Sequence, residues 1–185
     1  MKKIIVITGT PASGKTALSE RLAKSIRGSE LIKSNDLVKE KHLFSGHSED
    51  GEMVADMKGL KSEIEKRVVK SKSDTVIIEG HLLCDMRIRG AVAIVIREHL
   101  RTLLSRMEKR GYRRQKIEEN IVSEAIDYCG VNAARNYGRV YEILGSDSTV
   151  KDALGIISGK AAKVEEIDLL GELNGMAQYL GKSVL

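Results

Sequence analysis

Along this chain, short unbroken apolar runs alternate with segments whose apolar residues recur at helical spacing. Lys2 to Thr8 carries Ile4-Ile5-Val6-Ile7, a β-branched run that predicts a fully buried parallel strand. From Ala17 to Arg27, Leu18, Leu22 and Ile26 recur every four residues and predict an amphipathic helix. A short strand is expected over Glu30–Ser34, then a helix over Leu37–Phe44 with Asn35-Asp36 at its N-cap. Gly46 to Gly51 is a polar loop. Met53–Lys70 returns to helical spacing through Leu60, Ile64 and Val68, so positions 35–70 read as a helical insertion between sheet strands. Further strands are expected at Thr75–Glu79, Ala91–Ile96 and Gly138–Leu144, and helices at Glu98–Lys109, Ile117–Asn136, Lys151–Gly159 and Ala161–Leu180. Strands alternating with helices predict an α/β fold built on a parallel sheet.

The first strand and helix flank Gly9-Thr10-Pro11-Ala12-Ser13-Gly14-Lys15-Thr16, which fits G-x-x-x-x-G-K-[ST] at every fixed position. A glycine turn before an amphipathic helix would explain the glycines alone. Strand, loop and helix in this order also make an anion cradle, with loop amides and a helix N-terminus directed at a polyphosphate. In such a cradle Lys15 supplies charge at the β- and γ-phosphates, and the Thr16 hydroxyl a ligand for Mg²⁺.

Three other stretches carry candidate chemistry. Thr75-Val76-Ile77-Ile78-Glu79 is an apolar strand ending in an acid, the Walker B pattern, whose carboxylate holds a Mg²⁺-bound water or takes a proton from one. Gly80 permits close backbone approach, and His81 is open to a turn role, a water-positioning role or a proton-accepting role. Asn35 and Asp36 fall at the carboxyl edge of a strand, where α/β sheets bind ligands, so they are candidate substrate contacts as well as caps. Arg106, Arg110, Arg113 and Arg114 surround Gly111-Tyr112. They form either a solvated face or a short lid whose guanidinium forks fit phosphate oxygens.

Composition narrows the partners. A net charge of +5 suits polyanionic ligands, nucleotides first and RNA second. With five tyrosines, one phenylalanine and no tryptophan, there is no stacking platform for single-stranded nucleic acid. Cys84 and Cys129 lack C-x-x-C spacing and read as small buried apolar residues. A strand begins the chain and no apolar run approaches membrane-spanning length, so no membrane association and a cytoplasmic location are expected. No Asn-Lys-x-Asp guanine-reading motif occurs.

Taken with Ile7–Thr16, Asn35-Asp36-Leu37, Glu79-Gly80-His81, Arg110-Gly111-Tyr112 and Lys116-Ile117-Glu118-Glu119-Asn120-Ile121, the chain resembles the small adenylate kinases of archaea and the eukaryotic nucleus. These are the coilin-interacting nuclear ATPase family, whose members also serve in small-ribosomal-subunit assembly. The resemblance spans roughly residues 3 to 144 and leaves the tail unsupported. It implies a P-loop NTPase fold of nucleoside-monophosphate-kinase type, with a five-stranded parallel sheet flanked by helices. Residues 1–185 would form one kinase domain, with a monophosphate-binding insertion near 33–56 and a short lid near 109–119. The implied reaction is ATP plus AMP giving two ADP, with Mg²⁺ and an additional ATPase activity.

By position, Gly9, Ala12, Ser13, Gly14, Lys15, Thr16 and Ala17 would hold ATP, with Arg110 as lid arginine. Asp147, in Gly145-Ser146-Asp147, would lie near the adenine. Asn35, Asp36 and Gly80 would meet the acceptor, Lys15, Arg110, Glu79 and His81 would act in catalysis, and Thr16 and Glu79 would hold the metal. The chain departs from the family at Ala12 and Ala17, where a glycine and a threonine are common, and at Glu79, where an aspartate is usual. Three functions are thereby in play: an adenylate kinase, an ATPase switch docking on a small-subunit ribosomal protein or pre-ribosomal RNA, and a kinase for another small acceptor.

Overall fold

The computed structural model describes residues 2–47, 53–145, 150–160 and 167–176. Five strands form one parallel sheet in the order β2-β5-β1-β6-β7: Lys3–Thr8 (β1), Glu30–Lys33 (β2), Thr75–Glu79 (β5), Ala91–Arg97 (β6) and Val140–Leu144 (β7). β1 lies in the middle, so its carboxyl end opens between β5 and β6, where ligands of α/β sheets bind.

Side chains alternate across the sheet and divide the core. On one face Ile5, Ile7, Ile77, Ile94 and Ile96 pack against Leu18 and Leu22 of α1 (Lys15–Ser25) and Ala153 and Ile156 of α7 (Val150–Ile157). On the other, Val6, Val76, Ile78, Ala93 and Val95 meet Leu60 and Ile64 of α3 (Met57–Lys70), Leu83 of a 3₁₀ turn (His81–Asp85), and Ala133 of α6 (Tyr128–Asn136). Each such buried Leu or Ile contributes about 1.5–3 kcal/mol. A third cluster joins Leu100, Leu103 and Met107 of α4 (Leu100–Lys109) to Ile117, Ile121 and Ala125 of α5 (Arg114–Ala125).

The insertion is not all helical. α2 (Ser34–Glu40) begins directly at the end of β2, with Lys33 as an N-cap whose side chain makes no capping bond. Asn35 and Asp36 therefore lie in its first turn and do not cap it, Asp36 placing its charge at the positive end of the helix. The chain then leaves the helix, and Phe44–His47 (β3) pairs antiparallel with Met53–Ala55 (β4). Extended backbone lets Leu43, Phe44 and Ala55 all reach the core within a few residues. Asp56 ends this hairpin and starts α3, its carboxylate accepting from Lys58 N and Gly59 N. The acids of the polar loop lie outside the described residues.

The long helix expected over 117–136 is two helices, α5 and α6, because Asp127 takes a left-handed conformation (φ 55°) and caps α6 through Gly130 N. Ile126, the residue just before the break, is exposed as a result. In the tail, the described helix is short, Leu170–Asn174 (α8), and Leu169 and Met176 bury against α4 and α5, not against the sheet. Among the described residues, no helix is long and apolar enough to cross a membrane.

Candidate active site

The loop between β1 and α1 is held at every turn. A Cβ at Gly9 would lie 2.3 Å from the Ile96 carbonyl oxygen, so only glycine lets the chain pass the end of β6. Ala12 (φ 69°) and Gly14 (φ 103°) are both left-handed, and alternation of this kind turns successive amides into one concavity. Alanine at position 12 bears a cost there of about 1–2 kcal/mol that glycine would not. Ser13 N donates to Thr10 O at 3.1 Å, and the Ser13 hydroxyl is buried without a partner.

Lys15 opens α1 and is almost wholly buried, with Nζ donating to Thr10 O at 2.8 Å. Burial pushes its pKa down, and the Glu79 carboxylate opposes that shift. Glu79 ends β5 alongside Ile7 of β1, and its Oε1 accepts from the Thr16 hydroxyl at 3.2 Å. Burial pushes the Glu79 pKa up, against the opposing charge of Lys15. A Cβ at Gly80 would meet Ser34 Oγ at 1.8 Å, so the next residue must be glycine for β5 and α2 to come together.

The residues fit the expected cofactor. Thr16 and Glu79 give hard oxygen donors at the foot of an anion cradle. Mg²⁺ bound with a polyphosphate takes one or two protein ligands and completes its shell with phosphate and water. Among the described residues, no cluster of three or more His, Cys, Asp or Glu could hold a metal on its own.

Cavities border the loop. One of about 250 Å³ is lined by Ala12, Gly14, Ala17, Gly145, Arg106 and Arg110. Arg106 Nη1 donates to Ala12 O at 3.1 Å and pairs with the buried Glu98 at 2.8 Å. Arg110 is exposed at the C-cap of α4. Arg114, by contrast, pairs with Glu118 on an exposed face, so the solvated-face interpretation holds there. A second cavity, of about 500 Å³, is walled by Asn35, Val38, Val54, Ala55 and Met57 and ends at His81. Asp36 is exposed and not in that wall. Burial, then the charges of Lys15 and Lys116, lower the His81 pKa to about 4 and keep its ring neutral. Asp147 lies outside the described residues.

Three residues that hold the loop escape a reading by motif: Arg97, Glu98 and Glu124. The Thr10 hydroxyl donates to Glu124, whose other oxygen accepts from Arg97 Nε at 3.0 Å and Glu98 N at 2.9 Å. Arg97, 1% exposed, also pairs with Asp127 at 2.7 Å and Glu142 at 3.0 Å. The one available signal was Arg97-Glu98, two charges ending a strand that is otherwise apolar.

Residues 5–127 match the family described as an AAA domain. A protein named "Putative adenylate kinase" from Methanosarcina mazei is 33% identical over 196 residues, covering 98% of this chain and 96% of its own. One of the same name from Pyrococcus abyssi is 32% identical, covering 96% of this chain and 97% of its own. The chain belongs to this small adenylate-kinase-like family. Among solved structures, shikimate kinase from Aquifex aeolicus superposes with a TM-score of 0.57 at 17% identity, covering 85% of this chain and 97% of that one. A gluconokinase from Sinorhizobium meliloti gives 0.55 at 17% identity, covering 86% and 93%. At such identity these show the fold, the α/β P-loop kinase fold that the family resemblance implied. The family member is thus a P-loop kinase.

Proposed function

We propose that this P-loop kinase transfers the γ-phosphoryl group of ATP to AMP. The observation that most supports it is the 500 Å³ cavity between the insertion and His81, of nucleotide size and mostly apolar wall, beginning two residues beyond Glu79. Magnesium held at Thr16 and Glu79 would neutralise charge on the phosphate oxygens. Lys15 places its ammonium in the loop, where it can leave Thr10 O for a phosphate oxygen. Arg106 and Arg110 bring guanidinium groups from the other side, spreading the charge that builds on the transferring group. The acceptor oxygen of AMP is already ionised, so transfer to it needs positioning and no base.

The test is an acceptor screen with ATP fixed and AMP, CMP, GMP, UMP, shikimate and gluconate offered in turn. AMP should be phosphorylated fastest; a clear preference for any other acceptor overturns the reading.

A buried neutral His81 favours a second activity, hydrolysis of ATP, because a neutral imidazole can orient a water. His81→Ala should then reduce ATP hydrolysis more than AMP phosphorylation, and equal losses would remove that role. If hydrolysis serves as a switch at a small-subunit ribosomal protein or pre-ribosomal RNA, which the net charge of +5 suits, adding that partner must change the hydrolysis rate.

A further inference from the structure

The proposed chemistry leaves one pair of buried nucleophiles unused. Cys84 lies in the 3₁₀ turn that follows Glu79 and Gly80, and Cys129 in the first turn of α6, yet their sulfurs are 3.6 Å apart. The Cys84 thiol is within hydrogen-bonding reach of both Cys129 Sγ and, at 3.2 Å, the His81 carbonyl. The two elements are also joined by backbone contacts: Asn136 Nδ2 donates to Cys84 O at 2.8 Å and the Tyr137 hydroxyl to Leu83 O at 2.7 Å. Both cysteines line a cavity of about 150 Å³ whose other walls include Thr10 and Pro11 of the loop and His81. Water occupies about 30 Å³ in the liquid, so the cavity admits a peroxide but not a bulky thiol reagent.

We propose that Cys84 and Cys129 are a peroxide-oxidisable dithiol whose disulfide reshapes the wall between the phosphate loop and His81. In the first step the Cys129 sulfur attacks one oxygen of hydrogen peroxide. The O–O bond breaks, water leaves, and Cys129 becomes a sulfenic acid. In the second, the Cys84 sulfur attacks that sulfenic sulfur, the S–O bond breaks, and a second water carries off the thiol proton. Two thiols have then lost two electrons and one peroxide has gained them. The order of attack follows from the pair's asymmetry. The hydrogen bond from Cys84 holds the Cys129 thiol below its ordinary range, while that bond and burial push the Cys84 thiol up.

A disulfide brings sulfurs to about 2.0 Å, so closure from 3.6 Å requires the two sulfurs to approach by roughly 1.6 Å and removes the Cys84 thiol hydrogen that reaches Cys129 Sγ or the His81 carbonyl. The consequence for rate rests on the kinase reading; the thiol chemistry does not.

The experiment treats the whole chain with equimolar hydrogen peroxide, then denatures it in an alkylating agent and counts free thiols by mass. Both cysteines should be free before treatment and neither after, in a monomeric species linking the peptides of Cys84 and Cys129, reversed by dithiothreitol. Cys84→Ala should stop at a Cys129 sulfenic acid, trapped by dimedone present in the denaturant. In the wild type, AMP phosphorylation should fall at least fivefold on oxidation and recover on reduction. Two free thiols after treatment, or Cys84→Ala and Cys129→Ala losing as much of their own untreated rate as the wild type does, overturns the dithiol. A disulfide that forms without changing the rate overturns the reshaping. The thiol count uses no nucleotide, so its failure is distinct from failure of the kinase reading.

Discussion

The floor and the roof of the site are built on opposite terms. In the floor, Thr10, Ser13 and Lys15 are buried, and the loop is tied to Glu124, Arg106 and the end of β6. In the roof, Arg110 and Gly111 are exposed between two helices, and the insertion offers a two-stranded hairpin whose Val54 is 43% exposed. A hairpin of that size is marginal by itself. The contrast matches what phosphoryl transfer requires. Donors facing the developing charge must be fixed before reaction, while the parts that admit and enclose substrates must open. Stability in this molecule is concentrated where charge develops and withheld where ligands enter.

The sharpest way to break this comparison is to remove the floor's charge. Lys15→Ala should lower turnover about a thousandfold or more in a coupled ADP assay while thermal melting still shows a folded protein. Turnover within tenfold of wild type would mean that the loop is not the seat of the reaction. Next comes the anchor beneath it. Glu124→Ala removes the carboxylate at Arg97 Nε and leaves the buried guanidinium with Asp127, Glu142 and the backbone carbonyl of residue 124, and should cost about 3 kcal/mol in urea unfolding. A loss under 1 kcal/mol would show that the buried network does not set the floor.

That anchor also marks how far the sequence could be read. The loop was legible because glycine, lysine and threonine are required there by local geometry, and local geometry is what a motif records. The sheet was legible because β1, β5 and β6 are apolar without interruption. Glu124 and Arg97 were not, since a charge in a helical pattern looks solvated until tertiary packing buries it. The β3–β4 hairpin was missed because Met53-Val54-Ala55 continues the helical spacing of α3, and only the cap at Asp56 separates them. The break at Asp127 was hidden likewise: apolar spacing runs through it, and the left-handed turn depends on Arg97 and Gly130.

The roof is tested by its exposed arginine. Arg110→Ala should leave stability within about 0.5 kcal/mol, yet lower kcat about 10- to 100-fold, with Arg114→Ala near wild type as the control. Equal effects of the two variants would return the whole arginine cluster to the solvated surface.

The smallest expected effect lies where floor and roof meet, at His81. Its folded-state pKa of about 4 is below the 6.5 of an unperturbed histidine, so on acidification the unfolded chain takes up the proton first. The contribution is complete above pH 6.5 and is lost as pH falls from 6.5 toward 4. Between pH 7 and pH 5.5 the loss amounts to about 1 kcal/mol. Glu79 works in the opposite sense, because its raised pKa makes the unfolded chain shed its proton first as pH rises, so wild type alone would blur the two. Urea unfolding of wild type and His81→Gln at both pH values separates them. The difference between the two proteins should shift by about 1 kcal/mol, with the variant less sensitive to acid. An unchanged difference would mean that the ring titrates as freely in the folded protein as in the unfolded chain, and that the junction of floor and roof is open to water.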